Sequence, residues 1–278
     1  MMTPVVPSPD LVSVETAEAR ISHGRLPPWR DETVTSVSNP GSIGLAFAAQ
    51  RATLVRVGDA SPIPRDVPPN SIGLGGAEPI AWLAVDAPSE QIEITASPAL
   101  RREIAEGLGV AAHADLADLH GWEDPVILAI ALRLRAGVRR WRPLDRLAQE
   151  ELIRAAYARV LQRRFGGRPG TPGSLDARRL ARVTDYVRAH PDRSLTITEL
   201  AAAAHLSPFH FARSFRRSVG LAPHQFVAGL RLEVAVARLR SGDVTVAQAA
   251  HEAGFSNLSH FRRQVRLNFG DSPTALRA

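Results

Sequence analysis

The sequence predicts an α+β protein, strands first and helices after, closing on an all-helical region. Three observations carry this. The last hundred residues contain one motif twice, a repeat that is read before anything else. Residues 41–96 hold short apolar, β-branched runs separated by Pro- and Gly-bearing turns. From Ser97 onward the apolar residues recur with helical rather than alternating period.

Taken in order, residues 1–40 are rich in Pro, Ser and Thr without a clear period, and are expected to be irregular. The runs SIGLAFAA, ATLVRVGD, PIAWLAVD and QIEITAS read as strands of a small antiparallel sheet, sandwich or half-barrel. Ser97-Pro98 opens a helix over PALRREIAEGL, and Asp124-Pro125 opens another over PVILAIALRLRAGV. A third helix is expected over about 144–165. Its stripe of Leu152, Ile153, Ala156, Tyr157, Val160 and Leu161 would support a homodimer. The Gly- and Pro-rich residues 166–174 read as an interdomain linker, dividing a sensor and dimerisation domain (1–165) from a helical domain (175–278). Beyond it lie a helix from Leu175 to Ala189, the first copy of the motif, a long helix over about 223–239, and the second copy.

Composition narrows the function. There are 278 residues and no Cys, so disulfides, thiol nucleophiles and cysteine zinc sites are excluded. No apolar run is long enough to span a bilayer, and the N-terminus does not read as a signal peptide; the expectation is a soluble cytoplasmic protein. The charge is segregated. Residues 175–278 hold 15 Arg against 8 Asp plus Glu, whereas residues 1–174 hold 19 Arg against 20, so the overall +6 lies with the repeated motif. A basic region beside a neutral one is the electrostatic footprint of a polyanion binder. The basic residues are all Arg, which favours bidentate contacts to phosphate and guanine, although a GC-rich genome accounts equally for the missing Lys.

Each copy reads as a short helix, a tight turn and a longer Arg-bearing helix, the layout of a helix-turn-helix. Thr196/Glu199 and Thr245/Gln248 form capping boxes. The turns are AHLS and AGFS, with Gly254 suited to a left-handed backbone and His205 less so. Ser207 and Ser256 are expected to cap the second helices. Leu206, Phe211 and Phe215, with their counterparts Phe255, Phe261 and Val265, would fill the core between helices. The outward faces then present Phe209, His210, Arg213, Arg216 and Arg217 in the first copy. In the second they present Asn257, Ser259, His260, Arg262, Arg263 and Arg266. A recognition helix reads base edges from near its N-terminus and touches phosphates along its flanks. That assigns Phe209, His210, Arg213, Asn257, Ser259 and Arg263 to bases, and Arg216, Arg217, Arg262 and Arg266 to phosphates.

These residues resemble the DNA-binding domain of the AraC/XylS family of bacterial transcription regulators. The match runs through Ala250, Gly254-Phe255, Ser259-His260-Phe261, Phe269-Gly270, Ser272-Pro273 and Arg277. Between the copies it takes in Gly220, Pro223, Phe226, Arg231-Leu232, Ala235 and Leu239. Val265 stands where the family usually has Phe, Ala249 where a larger aliphatic is usual, and His205 where Gly is common. The resemblance implies two helix-turn-helix units joined by the long helix, with their recognition helices in successive major-groove segments about 34 Å apart. It also implies asymmetric sites, double-stranded promoter or operator DNA and RNA polymerase as partners, and action at the bacterial nucleoid. The first 165 residues resemble, in the order of their elements, the cupin-like β sensor domain of such regulators. An effector bound in residues 41–120 would reposition the domains around residues 166–173.

No cofactor, metal or catalytic activity is expected. Trp82 could line an effector pocket with Arg51 or Arg56, suited to a small organic acid, or it could be plain core. His113, Asp115, Asp118 and His120 have metal-ligand chemistry but not the spacing of a shared face. The alternatives to a regulator are a non-specific architectural DNA binder and an enzyme with an appended DNA-binding module; repair alkyltransferases of the latter kind need a Cys that is absent here.

Overall fold

A computed structural model of the chain describes residues 10–30, 36–110, 119–166, 173–191 and 193–277. The chain divides into two compact units. One holds residues 1–106 and 111–124; the other holds 107–110 and 125–278.

The first unit is built on two antiparallel sheets. One has the order β1 (Leu11–Glu15), β2 (Ala19–Leu26), β10 (Ser89–Ala96), β5 (Ile43–Ala46), β8 (Ser71–Leu74), β11 (Leu119–Trp122). The other runs β3 (Trp29–Arg30), β9 (Ile80–Val85), β6 (Gln50–Val57), β7 (Ile63–Val67), with β4 (Ser36–Ser38) also pairing β9. The pleat explains the sequence of β10. Ile92 and Ile94 alternate with polar residues and are buried. Ile94 pairs with Ile21 on one side and Ile43 on the other, and Ile43 pairs with Leu74, making one continuous apolar row across the sheet. The four strands read from the sequence are β5, β6, β9 and β10. The expectation of an irregular start is corrected for the described part of residues 1–40: β1 and β2 pair over five positions, and β2 is an interior strand of its sheet. The alternation of Ala19, Ile21 and His23 with Arg20 and Ser22 is the local cause. Helix α1 (Pro98–Leu108) follows, its first turn satisfied by the Ser97 hydroxyl, which accepts from the Leu100 amide at 3.1 Å.

The second unit is helical. Its central element is α2 (Pro125–Val138), apolar on nearly every side and buried along almost its whole length. It packs on α3 (Arg146–Phe165), α7 (Pro223–Arg240) and α9 (Leu258–Phe269). The division between units therefore falls at residues 124–125, not at the Gly- and Pro-rich stretch, of which residues 167–172 lie outside the described residues. The stripe on α3 is also reassigned. Leu152, Ile153, Ala156, Tyr157, Val160 and Leu161 are all buried within this chain, where α3 meets α2 and α6 (Pro208–Val219), so they are not available to a second copy. The remaining helices are α4 (Ala177–Ala189), α5 (Ile197–Ala203) and α8 (Val246–Glu252).

Candidate nucleic-acid interface

Two helix pairs, α5/α6 and α8/α9, are connected by α7. Local chemistry sets each start. The Thr196 hydroxyl accepts from the Glu199 amide at 3.2 Å, while the Glu199 carboxylate accepts from the Thr196 amide at 2.8 Å. Thr245 and Gln248 repeat both bonds at 3.2 and 2.8 Å. These reciprocal bonds satisfy amides a helix start otherwise leaves open. They hold the Glu199 carboxyl well below its usual range, at about 2, chiefly through the Thr196 amide and then through Arg193, whose guanidinium lies 2.6 Å away.

The turns need a left-handed residue, and Gly254 (φ 71°) and His205 (φ 53°) both supply it. Gly254 has a second reason to lack a side chain: a Cβ there would press on Arg231 of α7 and on the Pro191 carbonyl. Arg231 in turn donates to the carbonyls of His190 and Arg193, tying the α4–α5 connection to α7.

Ser207 caps α6 as expected. The cap of α9 is Asn257, not Ser256; its Oδ1 accepts from the His260 amide at 2.9 Å. This corrects the expected cap at Ser256 and engages the Asn257 side-chain oxygen at the helix start. The cause is the one-residue insertion in the second copy. Each cap lies four residues before the buried Phe that anchors its helix, Ser207 before Phe211 and Asn257 before Phe261.

Those two Phe residues set the register of everything outside. Phe211, Phe215 and Val219 form the buried edge of α6; Phe261, Val265, Asn268 and Phe269 form that of α9. Arg213 and Arg263 each follow the anchoring Phe by two residues and so project away from the buried face. Phe209/Ser259, His210/His260 and Arg216/Arg266 are equivalent pairs on the same reckoning. All eleven residues singled out from the sequence are exposed, Phe209 at 73%. Among the described residues, the side chains of Arg213, Arg216, Arg262, Arg263 and Arg266 make no ion pair or hydrogen bond, which leaves five guanidinium groups open to an external anion. Arg217 differs, having a contact within the chain.

The two helices border one cleft of about 590 Å³. Arg216 from α6 and Asn257 and His260 from α9 line it, with the first turn of α7 between them. Arg213 is one turn from Arg216, and Arg263 one turn from His260, so each lies a helical turn from a residue that lines the cleft. Sequence reading passed over His224, exposed in that first turn of α7 and lining the cleft. The Ala222-Pro223 helix start was the available signal. Arg262, Arg263 and Arg266 form a further surface hollow with Ser259.

The family described as "Helix-turn-helix domain" matches residues 200–278. The chain is 34% identical over 110 residues to the MmsAB operon regulatory protein of Pseudomonas aeruginosa, covering 40% of this chain and 35% of that protein. It is 30% identical over 92 residues to the "Probable transcriptional regulator LumQ" of Photobacterium leiognathi, covering 33% and 37%. The C-terminal region is similar to transcription regulators of the AraC type. A crystal structure of a "probable AraC family transcriptional regulator" from Rhodopseudomonas palustris is 36% identical over 35% of this chain and 93% of its own, with a TM-score of 0.33. The chain thus spans little more than a third of the length of these two curated relatives.

The departures from the AraC-type pattern are accommodated. Val265 and Ala249 are fully buried in one cluster with Leu232, Val236, Leu239, Phe261 and Phe269.

In the strand-rich unit, Trp82 lines a cavity of about 60 Å³ whose walls come from both sheets, and its indole donates to the Ser38 hydroxyl at 3.0 Å. Arg51 and Arg56 do not line it. Val55 pairs with Trp82, so Arg56, the next residue on β6, points to the other face, and Arg51 is exposed at the strand's start. His120 reaches the cavity wall and its ring nitrogen lies 2.7 Å from Arg65 Nη1. His113, Asp115 and Asp118 lie outside the described residues.

Proposed function

We propose that this chain is a sequence-specific DNA-binding transcription regulator of the AraC/XylS type, its two helix pairs acting as helix-turn-helix readers of adjacent major-groove segments. One observation carries the reading: Arg213 and Arg263 occupy equivalent outward positions on two helices that flank a common cleft, with unpaired Arg beside them. Arg213, Arg263, Phe209, His210, Ser259 and His260 face the bases; Arg216, Arg217, Arg262 and Arg266 hold phosphates. Its place of action is then the cytoplasm, on chromosomal DNA.

The test is selection from a pool of random duplexes, followed by titration of the enriched and scrambled duplexes at one salt concentration. A regulator binds the enriched duplex about 10³-fold or more tightly than the scrambled one. Equal affinity for both would make it an architectural binder and overturn the reading.

The strand-rich unit fits the role of effector sensor. At roughly 10–15 Å³ per water the cavity has room for about four, so an effector of a few heavy atoms suits it. Its walls carry Asp66 and Glu93 but no Arg, and the buried Gln50 amide oxygen on its wall has no partner among the described residues. That chemistry favours a neutral or cationic hydrogen-bond donor over the organic acid suggested by Arg51 and Arg56. A set of small amides, polyols and amines assayed for a shift in the melting temperature of the chain checks this. Stabilisation by carboxylates alone would refute it.

A further inference from the structure

The matched family region begins at residue 200, yet both reading helices end against a hairpin formed by α2 and α3, which precedes it in the chain. Each reader closes on a left-handed glycine, Gly220 after α6 and Gly270 after α9. A Cβ added to Gly220 would meet Leu152 of α3 at 3.0 Å and Ala155 at 3.5 Å. One added to Gly270 would collide with the indole of Trp141, in the α2–α3 loop. The two C-terminal ends therefore rest on one small body, tightly at Gly220 and with no room for a Cβ at Gly270.

That body is stiff. Arg133 of α2 donates to the carbonyl oxygens of Arg142 (2.7 Å) and Pro143 (3.0 Å), holding the loop that carries Trp141. The Arg142 amide returns to the Ala136 carbonyl, and a Cβ on Gly137 would press into Leu144. The hairpin is also locked to the readers' framework. Arg135 of α2 is fully buried, 3.7 Å from Glu233 of α7 and 4.5 Å from the ring centre of Phe269 in α9.

We propose that the α2–α3 hairpin is a gauge that fixes the separation of the two reading helices, with Trp141 and Leu152 as positioning residues that determine which half-site spacing the chain accepts. The inference rests on the DNA-reading function above. Its physical basis is the geometry of the duplex: one inserted base pair moves the second half-site about 3.4 Å along the axis and turns it by roughly 35°, given 10–10.5 base pairs per turn. A rigidly spaced pair of readers cannot follow both changes. A loosely spaced pair can.

The experiment uses the full chain and the duplex enriched from a random pool, rebuilt with one or two base pairs added or removed between the half-sites, and a duplex carrying one half-site alone. Wild type is expected to lose roughly tenfold or more on each altered spacing, about 1.4 kcal/mol. Trp141→Ala and Leu152→Ala are expected to shrink that loss to about threefold or to move the optimum by one base pair, with single half-site affinity unchanged. Leu147→Ala, at an exposed position of α3, should behave as wild type. Should either alanine variant fail to fold, Trp141→Phe and Leu152→Val carry the test with smaller volume loss. A wild-type spacing penalty in the variants, or a uniform loss on every duplex including the half-site, overturns the gauge while leaving the regulator intact. Failure of the pool to enrich any duplex overturns the regulator reading and the gauge with it.

Discussion

Replacing Arg135 by Met tests the buried lock directly. Its side chain is 0% exposed and that of Glu233 4%, so the substitution strands a carboxylate in the interior. Removing one member of a buried pair costs about 3–5 kcal/mol. Loss of the cation over Phe269 adds about 0.5–2 kcal/mol. For a unit of this size 1 kcal/mol moves the midpoint by roughly 2–4 °C, so Arg135→Met should lower the helical melting transition by about 7–28 °C. Glu233→Leu alone should cost less, because Arg135 keeps the face of Phe269. The double variant Arg135→Met/Glu233→Leu should return close to wild type, since an apolar pair of similar volume replaces a pair that had to be desolvated. Thermal melts followed by helical circular dichroism give all four corners of the cycle. A double variant as unstable as the sum of the singles would refute the coupling, as would an Arg135→Met melt that coincides with wild type.

Other consequences are smaller or more local. Asn257→Ala should destabilise the start of α9 by about 1 kcal/mol, visible as faster amide exchange at His260, while Ser256→Ala should leave it unchanged. Arg263→Ala should relax base preference at one position by about 1–3 kcal/mol, whereas Arg266→Ala should weaken binding on every sequence and reduce the salt slope by about 1; equal effects from both would abolish that division. The Glu199 carboxyl should titrate near 2, so the stability it contributes is present above the ordinary carboxylate range and lost as pH falls through about 2. An NMR titration reads this directly, and Thr196→Ala should raise the value.

The helix pairs were legible in the sequence because capping boxes, turn residues and anchoring Phe residues act within a few positions of one another. The cap of α9 was placed at Ser256 because the insertion was noted but not carried back from Phe261 to the helix start. The strands β1 and β2 were hidden by Pro and Ser around them, although ARIS already alternates. Periodicity on α3 correctly marked a buried face but not its partner, which is α2 and α6 of the same chain. Arg135 was the least legible: an Arg inside an apolar helix reads as an interruption, and its partner Glu233 lies nearly a hundred residues further on, brought near only by the packing of α2 on α7. Arg51 and Arg56 show the limit of proximity in sequence, since one step along a strand changes the face.

Phe209 and Ser259 hold the same place on their helices, yet one is a bare aromatic ring and the other a hydroxyl. Arg217 and Leu267 differ in the same way. Two readers so unlike each other have no interchangeable ends, so a chain set down on a duplex acquires a heading. Under the proposed function, turning the site around would reverse the order in which the two readers meet the bases.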